Sequence, residues 1–214
     1  MLLKPLAGLI SSMESRRERN LPRATASSRR KLPGRGPLAL TGTPGSGKSS
    51  VAAELPASVP WIEVGAWALA HGFGHRRGTG TVVDLESLRR RFWRLHARDP
   101  HAVYVGHLAH LLPLEDVVLL RCHPLELGRR LEASRRGLPE ERAANVAAEA
   151  VDVILAEALD RGRRVWEVDT TGRNPAAVAR AVARRYAVRG PPRWGRTRWL
   201  ADPAVTTYLL ERAP

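Results

Sequence analysis

The chain has 214 residues, of which 43% are hydrophobic, and this supports one globular domain with a substantial core. No apolar stretch approaches the roughly 20 residues that a membrane helix needs, so we expect no membrane partner. The single cysteine, Cys122, excludes an internal disulfide framework and fits a cytoplasmic protein. The net charge of +14 favours a polyanionic partner such as RNA.

Half of this net charge lies at the amino terminus, where residues 1–36 carry nine Lys or Arg and two Glu. The segment mixes Ser, Arg, Pro and Gly without apolar periodicity, which predicts a disordered basic tail. Two interpretations of the tail stay open: it binds RNA, or it is a solvated arginine-rich surface. We place the folded domain at residues 37–186 and a basic carboxyl-terminal extension at residues 187–214.

The segment 38–50 combines a short apolar run, a glycine-rich loop and a sequence compatible with a helix. Its loop satisfies G-x-x-x-x-G-K-[ST] at Gly42, Gly47, Lys48 and Ser49. Such a loop surrounds phosphate with backbone N–H groups at the positive end of a helix. The segment therefore predicts a nucleotide-phosphate site, in which Lys48 reaches the outer phosphates and the Ser49 hydroxyl holds Mg²⁺.

Strands alternate with helices along the rest of the domain. The predicted extended segments are 38–40, 61–65, 81–84, 102–106, 117–121 and 165–169. The predicted helices are 51–55, 66–70, 85–95, 125–133, 140–159 and 176–186, with loops at 71–80 and 170–174. This alternation predicts an α/β fold with a central parallel sheet covered on both faces.

A phosphate-binding loop by itself does not identify a reaction. Regulatory GTPases need a base-reading segment of the N-K-x-D kind, and the sequence has none. A domain of this size with many arginines fits phosphoryl transfer between small nucleotides, which requires mainly positioning and charge neutralisation.

Five segments carry a resemblance to a known family. They are Gly-Thr-Pro-Gly-Ser-Gly-Lys-Ser-Ser at 42–50, Gly-His-Leu-Ala-His at 106–110, Leu-Leu-Arg-Cys at 119–122, Arg-Gly at 136–137 and Asp-Thr-Thr-Gly-Arg at 169–173. In this order they resemble the archaeal adenylate kinase-like family, relatives of eukaryotic adenylate kinase isoenzyme 6. The resemblance spans about residues 37–186.

The resemblance implies a P-loop NTPase fold of the nucleoside monophosphate kinase type, with three layers. It also implies broad-specificity monophosphate kinase activity (ATP + AMP ⇌ 2 ADP), ATPase activity, and ATP and Mg²⁺ as cofactors. Members of the family assist late maturation of the small ribosomal subunit and its 16S rRNA, through contact with a small-subunit ribosomal protein. The corresponding partners here would be that ribosomal protein and rRNA.

The same resemblance assigns roles to individual residues. The ATP-binding loop is matched by Gly45, Gly47, Lys48, Ser49 and Ser50, and the loop beside the adenine by Thr171, Gly172 and Arg173. Arg136 matches the nucleotide-contacting arginine of a short lid at 134–142, although Arg135 could take its place. Segment 64–87, including Asp84, matches the monophosphate-binding part. Lys48, Arg136 and His107 are the expected catalytic residues.

Two positions depart from the family pattern: Val105 and Ala66 stand where relatives carry acidic residues. Asp84 and Asp169 are the candidates for a substitute acid. His107 could order a water or accept a proton, and a structural histidine at the end of a strand is an equally good interpretation.

The carboxyl-terminal extension interleaves arginine and tryptophan over residues 193–199 and ends in a short amphipathic piece, 203–210. Such a sequence can stack on bases, but we favour the interpretation in which Trp194 and Trp199 fold back onto the domain. Two functions from different classes follow: a monophosphate kinase, or an ATP-switched ribosome assembly factor with little turnover. The missing acids and basic tails favour the second, and the intact loop motifs favour the first.

Overall fold

The computed structural model describes residues 36–77, 80–98, 100–135 and 137–211, and the predicted amino-terminal tail lies almost entirely outside them. Within the described residues the strands are β1 (Leu38–Thr41), β2 (Trp61–Glu63), β3 (Gly74–Arg77), β4 (Gly80–Val83), β5 (Val103–Val105), β6 (Asp116–Arg121) and β7 (Arg164–Asp169). The helices are α1 (Lys48–Ala53), α2 (Val64–Ala70), α3 (Leu85–His96), α4 (Pro124–Ala133), α5 (Pro139–Ala150), α6 (Val153–Asp160), α7 (Pro175–Ala187) and α8 (Pro203–Glu211).

Five strands form one parallel sheet in the order β2-β5-β1-β6-β7. The strand that precedes the glycine-rich loop, β1, therefore lies in the centre, with β5 on one side and β6 on the other. In parallel sheets ligands bind beyond the carboxyl ends of the strands, where the strand order reverses. That point is the end of β1 in this chain, so the sheet order places the glycine-rich loop at the expected crevice.

Both faces of the sheet are covered, and the alternation of side chains in a strand explains how. In β1, Leu38 and Leu40 join an apolar cluster with α1 and α7, whereas Ala39 points into the opposite cluster. That second cluster includes Trp67 of α2 and Phe92 of α3. The prediction of a three-layer α/β fold with a central parallel sheet is confirmed.

Two predicted boundaries were wrong. The strand predicted at 61–65 ends at Glu63, because the Glu63 carboxylate caps α2 by accepting from the N–H groups of Gly65 and Ala66. The loop predicted at 71–80 contains β3, which pairs with β4 as an antiparallel hairpin. The first turn of α5 covers residues 139–142, the last part of the predicted lid, and agrees with the helix predicted from residue 140.

The single helix predicted at 140–159 is divided into α5 and α6. Asp152 has a left-handed backbone at the junction, with φ of 59°, and its carboxylate accepts a hydrogen bond from the buried Arg121 guanidinium. An ion pair in the core demands close geometry, and we attribute the break in the helix to this contact.

The carboxyl-terminal extension packs onto the domain, which confirms the favoured interpretation of its tryptophans. Arg193 exchanges backbone hydrogen bonds with β7, donating to the Val165 carbonyl at 2.9 Å and accepting from the Glu167 N–H at 2.9 Å. Trp194 packs against the second cluster, which contains Trp67 and Phe92, and Val205 of α8 is fully buried. Within the described residues, none of the helices is long and apolar enough to cross a bilayer.

His110 fixes the end of β1 to α6 and generates a prediction about pH. Its side chain is buried, with Nδ1 3.1 Å from the Thr41 hydroxyl and Nε2 2.8 Å from Glu157 Oε2. Desolvation lowers the pKa of His110 below its usual value, although Glu157 opposes this. In the unfolded chain His110 has a pKa of about 6.5. As the pH falls, the unfolded chain therefore binds more protons than the folded chain. Stability is therefore expected to decrease from about pH 6.5 downward, until the folded pKa is passed.

The variant His110→Gln should lose part of this pH dependence, since glutamine does not titrate. Urea midpoints between pH 5 and 7.5 would measure it, with His75→Gln on the exposed hairpin as the control. If the urea midpoint changed equally with pH in the wild type and in His110→Gln, His110 would not be the source of the pH dependence.

Candidate functional site

The glycine-rich loop leaves the centre of the sheet and turns sharply into α1. Gly42 has φ of 151°, and a β-carbon there would lie 2.6 Å from the Leu120 carbonyl oxygen of β6. Gly47 precedes α1 in the left-handed conformation, with φ of 93°. Both positions need glycine, because the loop passes close to the neighbouring strand and then reverses direction. The loop therefore has the compact shape that a phosphate cradle requires.

Backbone donors converge on this loop. Among the described residues no backbone acceptor is assigned to the N–H groups of Gly45, Gly47, Lys48, Ser49 and Ser50. The first N–H groups of a helix have no partner inside the helix, and they attract anions. The structure thus brings all five residues of the expected ATP-binding loop into one arc of donors.

Lys48 lies inside the arc. Its ammonium donates to the loop's own carbonyls, to Gly42 O at 2.7 Å and to Thr43 O at 3.0 Å. Desolvation lowers the pKa of Lys48 to about 8, and the nearby Glu149 carboxylate opposes the shift. A phosphate group arriving in the loop would replace the two carbonyls as the partner of the ammonium, and its negative charge would favour the protonated form.

The end of β5 brings His107 towards Lys48. The His107 side chain reaches the surface, yet partial desolvation and then the positive charge of Lys48 lower its pKa, while Glu63 raises it. A neutral imidazole at physiological pH can accept a hydrogen bond from a water. The His107 carbonyl also accepts from the Thr41 hydroxyl at 3.1 Å. Both interpretations of His107 therefore stay open.

Val105 stands where relatives carry an acid, and the acid that lies next to it is not one of the two that we expected. Asp84 caps α3 by accepting from the Ser87 N–H at 3.1 Å, and Asp169 accepts from the Thr171 N–H at 2.9 Å. Glu63, which sequence reasoning missed, lies directly beside Val105 in the register of β2 and β5. Glu63 is therefore the acid that the sheet places closest to the missing one.

The loop beside the expected adenine site is tied to the phosphate loop. The buried Thr170 hydroxyl lies 3.1 Å from the Ser46 carbonyl and 2.9 Å from the Arg121 carbonyl. Thr171 accepts from the His123 N–H at 2.8 Å, and the Gly172 N–H donates to Glu126 at 3.1 Å. Arg173 is exposed and donates to the Asp169 carbonyl at 2.9 Å. The structure thus attaches the residue before Thr171 to the phosphate loop.

Arg130 of α4 was missed by sequence reasoning. Its guanidinium donates to the Thr170 carbonyl at 2.8 Å and pairs with Glu126. One of its nitrogens is 4.0 Å from the place where a β-carbon on Gly47 would be. The sequence could have suggested that an arginine on this helix meets the loop. The contact itself, however, depends on how α4 packs.

The lid arginine cannot be placed in the same way, since Arg136 lies outside the described residues. The described part of the lid is a short connection between α4 and α5. Arg135 is exposed there with φ of 51°, and Gly137 has φ of 72°. The role of Arg136 remains a prediction from the resemblance.

A buried cluster of charges supports the phosphate loop from behind, and the sequence did not indicate it. Arg121 is 1% exposed and pairs with Glu149, Asp152 and Glu167. These carboxylates outweigh desolvation and raise the pKa of Arg121. Glu149 also accepts from the Thr43 hydroxyl at 2.6 Å. The cluster therefore joins the sheet, α5 and the phosphate loop.

Ser49 fits the Mg²⁺ that a bound nucleotide would bring. Its side chain is exposed in the first turn of α1, beside Lys48. Mg²⁺ in nucleotide sites takes most of its oxygens from phosphates and water, with one or two from protein. Among the described residues there is no cluster of three or more His, Cys, Asp or Glu that could hold a metal ion by itself. A single exposed hydroxyl next to the phosphate loop suits the metal carried by a nucleotide.

The monophosphate-binding part was predicted over 64–87. This range comprises α2, the hairpin of β3 and β4, and the start of α3. Arg76 and Arg77 are exposed on the hairpin, and Ala66 is exposed in the first turn of α2. The structure leaves the assignment of this part to monophosphate as a prediction.

Comparison with known proteins identifies relatives of the chain. It is 38% identical over 148 residues to a protein of Pyrococcus furiosus named "Putative adenylate kinase", covering 68% of this chain and 81% of that one. Proteins of the same name from Archaeoglobus fulgidus and Halobacterium salinarum are 40% and 39% identical, over 79% and 86% of their lengths.

The chain was also compared with family models and with solved structures. A search of family models gave no match. A crystal structure of shikimate kinase from Bacteroides thetaiotaomicron matches with a TM-score of 0.46 at 17% identity, over 69% of this chain and 95% of that one. On the identity and coverage of the archaeal relatives, the chain belongs to the archaeal adenylate kinase family.

Proposed function

We propose that the protein binds ATP with Mg²⁺ in the crevice and transfers its terminal phosphoryl group to a nucleoside monophosphate, as in ATP + AMP ⇌ 2 ADP. One observation carries the proposal: Lys48 and the arc of backbone donors lie beside a second loop, 170–173, which is hydrogen-bonded to the phosphate loop through Thr170 and Ser46. The two loops can hold the two ends of one nucleotide, its phosphates and its base.

The residues divide the work between binding and charge neutralisation. The N–H groups of Gly45, Gly47, Lys48, Ser49 and Ser50 hold the inner phosphates. Lys48 leaves its carbonyl partners to contact the outer ones. Ser49 would hold Mg²⁺ together with the phosphates, and the metal would supply positive charge to the transferred group. Arg136 and Arg130 would add positive charge from the lid and from α4. Phosphoryl transfer of this kind needs little beyond such positioning.

The same site supports slow ATP hydrolysis. A neutral His107 near Lys48 can hold a water on the phosphate side of the crevice, and its depressed pKa keeps it neutral near pH 7. ATPase activity is therefore part of the proposal, with His107 orienting the water.

A second candidate is an ATP-switched factor for small-subunit assembly, acting on a ribosomal protein and rRNA in the cytoplasm. One surface favours it. Arg180 and Arg184 are exposed on α7, and together with Arg173 of the preceding loop they line a groove of about 580 Å³ that also includes Ala177 and Ala183. The spacing of four residues places Arg180 and Arg184 on one face of α7. A row of arginines over small side chains suits the phosphates of an RNA strand.

A coupled ADP-formation assay separates the two functions. A kinase should form ADP rapidly only when AMP is present with ATP. An assembly factor should release ADP slowly at a rate that AMP does not change. ADP formation that is absent with and without AMP would contradict both.

The first prediction for this site concerns Lys48 and Ser49. Lys48→Ala should weaken ATP binding by about 10- to 100-fold, because a charge-assisted hydrogen bond to the phosphates is lost. Ser49→Ala should weaken the dependence on Mg²⁺ more than it weakens binding of metal-free ATP. Calorimetry with and without Mg²⁺ measures both. An unchanged affinity in Lys48→Ala would remove the loop from the mechanism.

The second prediction concerns the missing acid. Val105→Asp should raise phosphoryl transfer by roughly tenfold, since a carboxylate then stands beside the phosphates and His107. Val105 is 2% exposed, so the variant should also melt at a lower temperature. Val105→Asn is the matched control, because it has the same shape without the charge. Equal rates in the two variants would show that the acid is supplied elsewhere, with Glu63 the first residue to test.

The third prediction concerns the row of arginines on α7. Replacing Arg180 and Arg184 with Ala should weaken binding of single-stranded rRNA and reduce the log–log salt slope by about 1.4, or 0.7 for each lost phosphate contact. The control replaces Arg89 and Arg94, exposed on α3, and removes the same charge. Equal losses in both pairs would mean that binding follows net charge rather than this surface. A chain that starts at Pro37 tests the amino-terminal tail separately.

A further inference from the structure

The carboxyl-terminal segment reaches the back of the nucleotide crevice through Trp199. The Trp199 indole N–H donates to Glu149 Oε1 at 3.2 Å. The other oxygen of the same carboxylate accepts from the Thr43 hydroxyl of the phosphate loop at 2.6 Å. A single buried carboxylate therefore lies between the tail of the chain and the loop that would hold ATP.

Glu149 has little freedom to move away from this arrangement. It is 3% exposed, and Oε1 also accepts from Arg121 Nε at 2.8 Å and from the Cys122 N–H at 3.1 Å. With four donors on two oxygens, the carboxylate is held in one orientation. Loss of one donor would leave part of a buried charge without a partner, which is costly in a desolvated site.

Trp199 also contacts His123, which supports loop 170–173. Its ring meets His123 edge to face, with centroids 5.2 Å apart, and the His123 N–H donates to Thr171. Asp202, three residues further along, pairs with the His123 imidazole at 3.0 Å. The segment thus contacts the residues that support the phosphate loop and the residues that support loop 170–173.

The segment is firmly attached on both sides of Trp199. Before it, Arg193 extends the sheet beside β7, and the Thr197 hydroxyl donates to Glu167 at 3.1 Å. After it, Val205 is fully buried, and Tyr208 packs on the apolar cluster beneath α4 and α5. A segment with these anchors acts as a fixed support for the crevice.

We propose that Trp199 and Glu149 are positioning residues, which hold Thr43 and thereby set the curvature of the phosphate loop before the nucleotide binds. Neither side chain needs to touch the nucleotide. Trp199 acts through Glu149, and Glu149 acts through the Thr43 hydroxyl. The proposal deepens the proposed function, since it rests on ATP binding by this loop.

The first test uses Trp199→Phe and Thr43→Val, which remove one donor each and keep most of the side-chain volume. Each variant is expected to raise the KM for ATP about fivefold, because a hydrogen bond to a buried charge is lost, and to change kcat less than twofold. The KM of the double variant should be about equal to that of either single variant, since both substitutions break the same chain of contacts. Thr43→Ser, which keeps the hydroxyl, should recover the affinity that Thr43→Val loses.

Trp194→Phe is the matched control on the same segment. Trp194 packs against the core, and the described residues assign its indole no hydrogen bond to the crevice. It should leave the KM for ATP unchanged. A KM in Trp199→Phe equal to that of the wild type, or effects of Trp199→Phe and Thr43→Val that simply add, would overturn the proposal.

Hydrogen exchange of the nucleotide-free protein gives a readout that does not depend on ATP. In Trp199→Phe the backbone amides of residues 42–50 should exchange severalfold faster, while those of the β3 and β4 hairpin keep the rate of the wild type. Faster exchange throughout the domain, or no change at 42–50, would contradict a positioning role. If wild-type protein fails to bind ATP, the proposed function falls, and this measurement still decides the proposal about Trp199.

Discussion

Arg121 and its three carboxylate partners are the interaction on which the rest of the structure depends. The guanidinium is almost fully buried at the end of β6 and pairs with Glu149, Asp152 and Glu167. A buried arginine without partners would be very costly, so the elements that bear these carboxylates must pack where they do. The break between α5 and α6, the position of β7 and the path of the carboxyl-terminal segment all meet at this group.

One guanidinium does not balance three carboxylates, and the surrounding donors make up the difference. Glu149 accepts from Thr43, Cys122 and Trp199, and Glu167 accepts from the Thr197 hydroxyl. The negative charge also favours the protonated form of Lys48 in a loop that desolvates it. The electrostatics of the core and of the phosphate loop are therefore one system, in which changes behind the loop reach the ammonium in front of it.

The departures from the family pattern fall on the side of the crevice away from this cluster. Val105 is part of the apolar core, and Ala66 lies in the first turn of α2, whose N–H groups are capped by Glu63. The glycine-rich loop keeps every residue of its motif, whereas Val105 and Ala66 stand where relatives carry acidic residues. This asymmetry explains why the kinase and the assembly factor are both reasonable functions for one crevice.

The sequence by itself determined the phosphate loop, the five strands of the parallel sheet and most helices. These features depend on neighbours in the chain: the spacing of Gly42, Gly47 and Lys48, or a continuous apolar run such as 117–120. The tertiary structure decided the contacts of Arg121, the hydrogen bond from Thr43 to Glu149 across 106 positions, and the attachment of Trp199. A side chain's polar partner in the core depends on which elements pack together, and no local pattern of residues contains that information.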